Sequence, residues 1–455
     1  MNKKTMHRRA FLRSCVAAAL GSSVLYTAGV AGNAARAAAF DDYKALVCVY
    51  LAGGADSFNM IVPTESAGYA DYAASRGGLA PQRDDLKPLR GVGYGVHPDA
   101  AKIADLYNAN RLSVVANCGN LVRPLSAEEY RSGNVALPPQ LFSHSDQQRL
   151  WMSGDPTGGS LDGWAGRIAD HLVARQLPAD PAINFNFGGI NLFQSGSRVS
   201  QYSLTRQGKG YVTLHGAKPG SGGQRSIDAY RALARQARSA ANPLVREYAR
   251  IQLRAMEAVT SIQAALDDVP QLATEFTISD EQKFGRDLEV VAQMIAARQG
   301  LGARRQIFFI RLGGWDTHAN QASDHPRLLQ TLATGLDEFN RELDELGVSS
   351  QVTTFTATEF GRTLSANGDG TDHGWGGHHL VMGAAVDGGR IVGQMPDWKL
   401  GGADDAGKGR VIPSTSNDQY SATLARWFGV SEQSLGTIFP NLRNFSDTDL
   451  GFMKL

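Results

Sequence analysis

Cysteine is scarce in this chain, with three residues in 455, at positions 15, 48 and 118. Cys15 falls in an N-terminal stretch that reads as a leader, and the two that remain, Cys48 and Cys118, exclude a disulfide scaffold. They lie in or just after two strands expected to be neighbours, so a bridge and a pair of inert buried thiols both stand open. An excess of charge is missing too, the formal net charge being +1. Residues 1–39 contain no acid and six cations (Lys3, Lys4, Arg8, Arg9, Arg13 and Arg36), so without them the balance is +1 − 6 = −5. A chain of that charge is a poor candidate for nucleic-acid binding. After the leader no apolar run reaches the roughly 20 residues of a membrane span, and no internal repeat is visible.

What is present begins with an export signal. The basic segment His7-Arg8-Arg9-Ala10-Phe11-Leu12-Arg13 precedes a weakly apolar stretch from Cys15 to Gly32 and the small residues Ala37-Ala38-Ala39. Paired arginines followed by Phe-Leu resemble a twin-arginine signal, with His7 where Ser or Thr is usual. Residues 1–39 are therefore expected to be the signal peptide, cleaved after Ala39, with the twin-arginine translocation machinery as the partner during export. The mature protein is expected in the periplasm or outside the cell.

Beyond the leader, 42% hydrophobic content fits a folded domain. Apolar β-favouring runs alternate with helical stretches, the mark of βαβ units and a mostly parallel sheet. The expected strands are 45–51, 112–116, 182–185, 306–312, 352–357 and 379–385. The Ala-, Arg- and Gln-rich stretch 226–266 breaks the rhythm and reads as a pair of helices, a helical insertion at about 224–268 in a single α/β domain over 40–455. The Gly-, Lys- and Ser-rich segment 208–223 reads as an exposed loop at the rim of a site.

Groups able to bind metal concentrate in the last third. Gly313-Gly314-Trp315-Asp316-Thr317-His318 follows the apolar run 306–312, Thr358-Glu359-Phe360-Gly361-Arg362-Thr363 follows 352–357, and Thr371-Asp372-His373-Gly374 comes next. In an open α/β sheet the crevice beyond the carboxyl ends of the strands is where ligands bind, so these residues read as a metal site. Asp316, His318, Glu359, Asp372 and His373 are its candidate ligands. Gly376-Gly377-His378-His379 adds imidazoles, His378 as a candidate ligand and His379 as the start of the next strand. Upstream, Gly53-Gly54-Ala55-Asp56-Ser57 ends the first strand and delivers Asp56, whose plainer role is to cap the next segment. The segment Ser143-His144-Ser145-Asp146 enters a helix, where backbone N–H groups and the helix dipole favour an alkoxide or an anionic ester. Ser143 and Ser145 are both candidate nucleophiles, with helix capping as the alternative. His97 and His144 read as supporting or core histidines, and Trp315 as packing.

These pieces, in this order, resemble a bacterial exported family of unknown function within the alkaline phosphatase and sulfatase superfamily. The resemblance rests on Gly53-Gly54-Ala55-Asp56, Val96-His97-Pro98, Ser143-His144, Gly163-Trp164-Ala165-Gly166-Arg167, the three clusters above and Asp418-Gln419-Tyr420. It implies a doubly wound α/β sandwich, alkaline phosphatase-like, whose sheet is covered by helices on both faces. It also implies one or two divalent metals and hydrolysis or transfer of phosphate or sulfate esters through a Ser, Thr or modified Cys nucleophile. Carried over by position, Asp56 reaches toward the metals, Ser143 stands near the nucleophile's place, and Asp316 and His318 are ligands. Phe360 follows Glu359 where the wider superfamily often has Asp followed by His, a departure that bears on ligand count and metal identity.

In the chemistry so implied, metal activates the nucleophile and holds the ester, while Arg362 either forks onto the ester's oxygens or merely pairs with Glu359. Mixed carboxylate and imidazole ligands suit zinc or manganese, and a mostly oxygen site suits calcium or magnesium. The expected function is a metal-dependent hydrolase of phosphate or sulfate esters in the cell envelope, acting on an ester-bearing small molecule or glycan. The alternative is a non-catalytic envelope accessory protein that binds polysaccharide or a protein partner.

Overall fold

The computed structural model describes residues 40, 42–174, 183–199, 201–207, 210–212, 223–277 and 283–454. The expected signal peptide lies outside the described residues, as does most of the expected loop at 208–223. Residues 40–455 form one compact unit.

A nine-stranded sheet runs through it. Its order is 391–392, Leu112–Gly119, Gly377–Met382, Val352–Ala357, Lys44–Ala52, Arg305–Gly313, Asn184–Asn186 and Tyr202–Ser203, with Thr415–Ser416 also paired to Leu112–Gly119. All pairings are parallel except those of Gly377–Met382, which runs antiparallel to both its neighbours. The fold is thus α/β with a mostly parallel sheet. The strand expected at 379–385 instead begins at Gly377 and ends at Met382, which places His378 as well as His379 inside it.

The central strand Lys44–Ala52 shows why the sheet lies between two helical layers. Its side chains alternate faces, as strand geometry requires. Ala45, Val47, Val49 and Leu51 join one apolar cluster, with Leu288, Val291 and Ile295 of the helix Phe284–Ala296 and Leu329, Leu332 and Leu336 of the helix Gln321–Glu345. Leu46, Cys48, Tyr50 and Ala52 join a second, with Trp164 and Ile168 of the helix Trp164–Ala174 and Leu424 and Phe428 of the helix Asn417–Phe428. Each fully buried Leu or Phe here contributes about 1.5–3 kcal/mol. A strand buried on both faces reads as a continuous apolar run, as Lys44–Ala52 does.

Cys48 and Cys118 are both buried free thiols. They do not sit on neighbouring strands as expected, because Val352–Ala357 and Gly377–Met382 lie between the strands that carry them. The stretch 223–267 holds two helices, Gly223–Ala237 and Pro243–Asp267. The second starts on Asn242, whose side chain accepts from Leu244 N, with Pro243 at the first helical position, where its missing N–H costs nothing. Among the described residues no helix is long and apolar enough to cross a membrane.

Candidate metal centre

Three adjacent parallel strands end side by side. Ala52 pairs with Gly313 and Tyr50 with Ala357, so the chain leaves the sheet at Gly53, Gly314 and Thr358 along one edge. The turns then touch. Trp315 N donates to Ala52 O at 3.2 Å, and a Cβ on Gly53 (φ +126°) would stand 2.3 Å from Asp316 N. Only glycine permits that approach. Trp315 is buried (1% exposed), while the Asp316 side chain remains 45% exposed.

The remaining parts arrive from two other directions. His144 opens the helix His144–Ser153, and His373 ends the short hairpin formed by Arg362–Ala366 and Thr371–His373, in which Arg362 and His373 are partners. That hairpin is held close because Gly361 backs onto Gly376, where a Cβ would meet Gly376 O at 2.0 Å.

His144, Asp316 and His373 each present a ligand atom within 4.8 Å of the other two. The anchors behind the rings decide which nitrogens these are. His144 Nδ1 lies 2.8 Å from Glu359 Oε1, and His373 Nδ1 lies 2.8 Å from Phe142 O. The Phe142 carbonyl and the Glu359 carboxylate accept only, so each Nδ1 carries the hydrogen and each neutral ring keeps its lone pair on Nε2. Those Nε2 atoms face Asp316, at 3.4 Å from its Oδ2 for His144 and 3.3 Å from its Oδ1 for His373. His144 Nε2 is buried and has no hydrogen-bond partner. An imidazole whose far N–H is tied to a carboxylate or carbonyl is the usual arrangement of a metal-binding histidine, so these residues fit a divalent cation. His318 and Asp372 stand beside them, with His318 Nε2 3.1 Å from Asp316 Oδ1 and 2.8 Å from His373 Nε2, and His318 Nδ1 3.4 Å from Asp372 Oδ1.

Protonation follows the same contacts. The hydrogen bond to Glu359, opposed by burial, raises the pKa of His144, while burial lowers that of His373. Burial alone would raise both Asp316 and Glu359. Arg362 brings Asp316 below the usual carboxylate range, and hydrogen bonds from His144 and Tyr50 do the same for Glu359. Both acids are therefore charged at neutral pH. The site holds two imidazoles and a carboxylate able to take a cation, and Asp372 is held ionised chiefly by its hydrogen bond from Asn367.

Several expected residues have other work in the structure. Glu359 is 4% exposed and accepts from Tyr50 Oη at 3.0 Å and Gly53 N at 2.9 Å as well as meeting His144, so it holds a histidine. Arg362 is wholly buried. It donates to Asp316 Oδ1 at 2.8 Å, to Gly53 O and to both oxygens of Thr371, which leaves no fork for an ester and no pairing with Glu359. Asp56 is also wholly buried and forms a two-pronged ion pair with Arg76 at 2.7 and 2.8 Å, so the structure does not bring it to the cluster. Burial would raise its pKa, yet Arg76 and His325 hold it low. His378 packs edge-on against Phe58, and its Nδ1 accepts from Asn117 N at 3.0 Å. Burial keeps it neutral, with a pKa of about 3, among aromatic rings. Ser143 donates to Asp146 Oδ2 at 2.5 Å and makes no capping bond, and Ser145 is exposed.

Two residues here lie outside the expected ligand set: His144, which the sequence reads as a supporting or core histidine, and Tyr50. The available signal for His144 was its place at the start of a helix beside Ser143, one of the two candidate nucleophiles. Tyr50 gave no signal, because a tyrosine within an apolar strand reads as core.

No curated protein matches the chain. Among solved structures it is similar to Ps i-CgsB in complex with k-i-k-neocarrahexaose, at 10% identity and a TM-score of 0.37 over 88% of this chain and 77% of that one. It is similar to the PsFucS1 sulfatase from Pseudoalteromonas sp. at 10% identity and a TM-score of 0.31, over 86% of this chain and 68% of that one. It is similar to the C-terminal periplasmic domain of EcEptC from Escherichia coli, in complex with Zn, at 8% identity and a TM-score of 0.31, over 76% and 74%. Likeness at this level carries no argument about activity. The sequence itself matches one family model over residues 43–419, and the chain belongs to that family, the proteins of unknown function DUF1501.

Proposed function

We propose that this protein is a metal-dependent hydrolase of phosphate or sulfate esters, with His144, Asp316 and His373 as its metal ligands and Ser143 as its nucleophile. The observation that carries the reading is the pair of imidazoles whose Nδ1 atoms are tied down and whose Nε2 atoms both face Asp316. Two nitrogens and one carboxylate oxygen favour zinc or manganese over calcium or magnesium. A bound cation would supply Lewis-acid polarisation of the ester and a counter-charge for the attacking oxygen. His318 and Asp372, next to Asp316, are the groups within reach to complete its coordination. Ser143 adjoins His144 at a helix start, where N–H groups and the dipole favour negative charge, and its hydroxyl already donates to Asp146, a ready proton acceptor. The exposed Ser145, 3.3 Å from Ser143 Oγ, is the second candidate.

In this reading residues 1–39 direct export through the twin-arginine route, residues 40–455 form the single mature domain, and the substrate is an ester-bearing small molecule or glycan of the envelope. One observation favours the accessory alternative. Arg362 already pairs with Asp316 Oδ1 at 2.8 Å, so that carboxylate has a cationic partner without a metal.

Elemental analysis of the mature protein purified without chelator, beside Asp316→Ala, separates the two. Near-stoichiometric metal lost in the variant, with p-nitrophenyl phosphate or sulfate hydrolysis lost in Ser143→Ala and kept in Ser145→Ala, is the expected result. No metal in either protein would leave the accessory role.

A further inference from the structure

We infer that Arg410 binds a tetrahedral oxyanion beside the metal ligands. The inference rests on the metal-centre reading above and names the residue that holds the anionic group of its substrate.

Arg410 lies in the long loop between the short strands Ile391–Val392 and Thr415–Ser416. Its guanidinium carbon stands 3.9 Å from the centroid of the Phe142 ring, and its Nε donates to His373 O at 3.3 Å. Phe142 in turn accepts from His373 Nδ1 through its carbonyl. The three residues thus brace one another, and Arg410 is placed against the backbone of a proposed ligand. Its own backbone is fixed too. Ala406 N donates to Arg410 O at 2.9 Å, and the following Val411 accepts from Gly376 N at 2.9 Å, tying the loop to the segment that follows His373.

The two terminal nitrogens of Arg410 make no hydrogen bond or ion pair among the described residues, and the side chain is only half-buried. Arg362, by contrast, is buried against Asp316, and Arg131 donates to Asp405 O. A guanidinium held by stacking and by its Nε, with both Nη groups free, is arranged to take two oxygens of one anion. Little side-chain freedom remains to be lost on binding. Arg410 also adds a positive charge beside the proposed ligand His373, which favours an anion over a neutral group.

The test is calorimetric titration of inorganic phosphate and of sulfate into the full mature protein, with zinc content measured on the same samples, for the wild type, Arg410→Gln and Arg410→Lys. We expect unchanged zinc and phosphate or sulfate affinity lowered about 10- to 100-fold in Arg410→Gln, the range of a lost charge-assisted pair. Arg410→Lys should recover only part of it, because a point charge neither forks nor stacks as a guanidinium does. Equal affinity in wild type and Arg410→Gln, or no binding of either anion by zinc-loaded wild type, overturns the inference and leaves the metal centre standing. Anion binding that depends on Arg410 in a protein without zinc upholds it while removing the metal-centre reading. Neither zinc nor anion removes both. If Arg410→Gln does not fold, Arg410→Lys decides, and undiminished affinity there counts against the inference.

Discussion

Glu359 Oε1 stands 2.8 Å from His144 Nδ1, and this contact determines which nitrogen of the histidine faces Asp316. The carboxylate is itself held by Tyr50 Oη and Gly53 N, both from the end of the central strand. The orientation of His144, which comes from a distant helix, is therefore set by the sheet.

Replacing Glu359 with Gln should keep the shape and weaken that grip. Outer partners of metal-binding histidines typically alter affinity 10- to 100-fold. We expect zinc affinity of Glu359→Gln to fall by that factor in competition with a chromophoric chelator, and Tyr50→Phe to fall by less. Unchanged affinity in Glu359→Gln would mean that His144 is not a ligand.

Asp56 should prove essential to stability and irrelevant to metal. It is linked to Asp316 through a chain of contacts, from Asp56 to Gln321, from Gln321 to Thr371, and through Arg362 to Asp316. Asp56→Ala would strand the wholly buried Arg76 charge, at a cost of about 3–5 kcal/mol. The denaturant midpoint should drop accordingly, while the folded fraction keeps its metal stoichiometry. Loss of metal from a fully folded Asp56→Ala protein would restore Asp56 as a ligand.

His378→Asn should likewise leave metal content unchanged, since its Nδ1 is occupied by Asn117 N and its ring by Phe58. The buried imidazole packs against aromatic rings, so we expect a destabilisation of about 1–3 kcal/mol by thermal or chemical unfolding. Metal content measured on the same sample separates the two effects.

Asp418 carries a pH dependence of opposite sign from an ordinary ion pair. Burial raises its pKa to about 7, despite a hydrogen bond from Asn441. A carboxyl raised in the folded state favours folding most below its unfolded pKa, roughly 4. That contribution is lost as pH rises from about 4 to 7. Asp418→Asn should therefore be more stable than the wild type at pH 8 and should flatten the fall in thermal midpoint between pH 5 and pH 7. A slope unchanged by the substitution would show that Asp418 does not titrate there.

The sequence alone determined the layout. Apolar runs buried on both faces exposed the strands Lys44–Ala52, Arg305–Gly313 and Val352–Ala357 to within a residue or so, because a parallel strand under two helical layers leaves no room for polar alternation. Glycines and acids just past those runs located the edge where Asp316 and Glu359 emerge. The short strands, such as Thr415–Ser416, were not legible, since two residues carry no period.

Which acids and imidazoles meet was decided only in the tertiary structure. Asp56 and His378 have the same chemistry on paper as the residues of the cluster, yet packing turned them to Arg76 and to Phe58. His144, some 170 residues before Asp316, was brought to it by the helix start and by the Glu359 carboxylate. Residue types and strand ends are local properties, whereas the direction in which a buried charge finds its partner depends on the whole chain closing around it, because a charge out of water must be paired by whatever lies within a few ångströms.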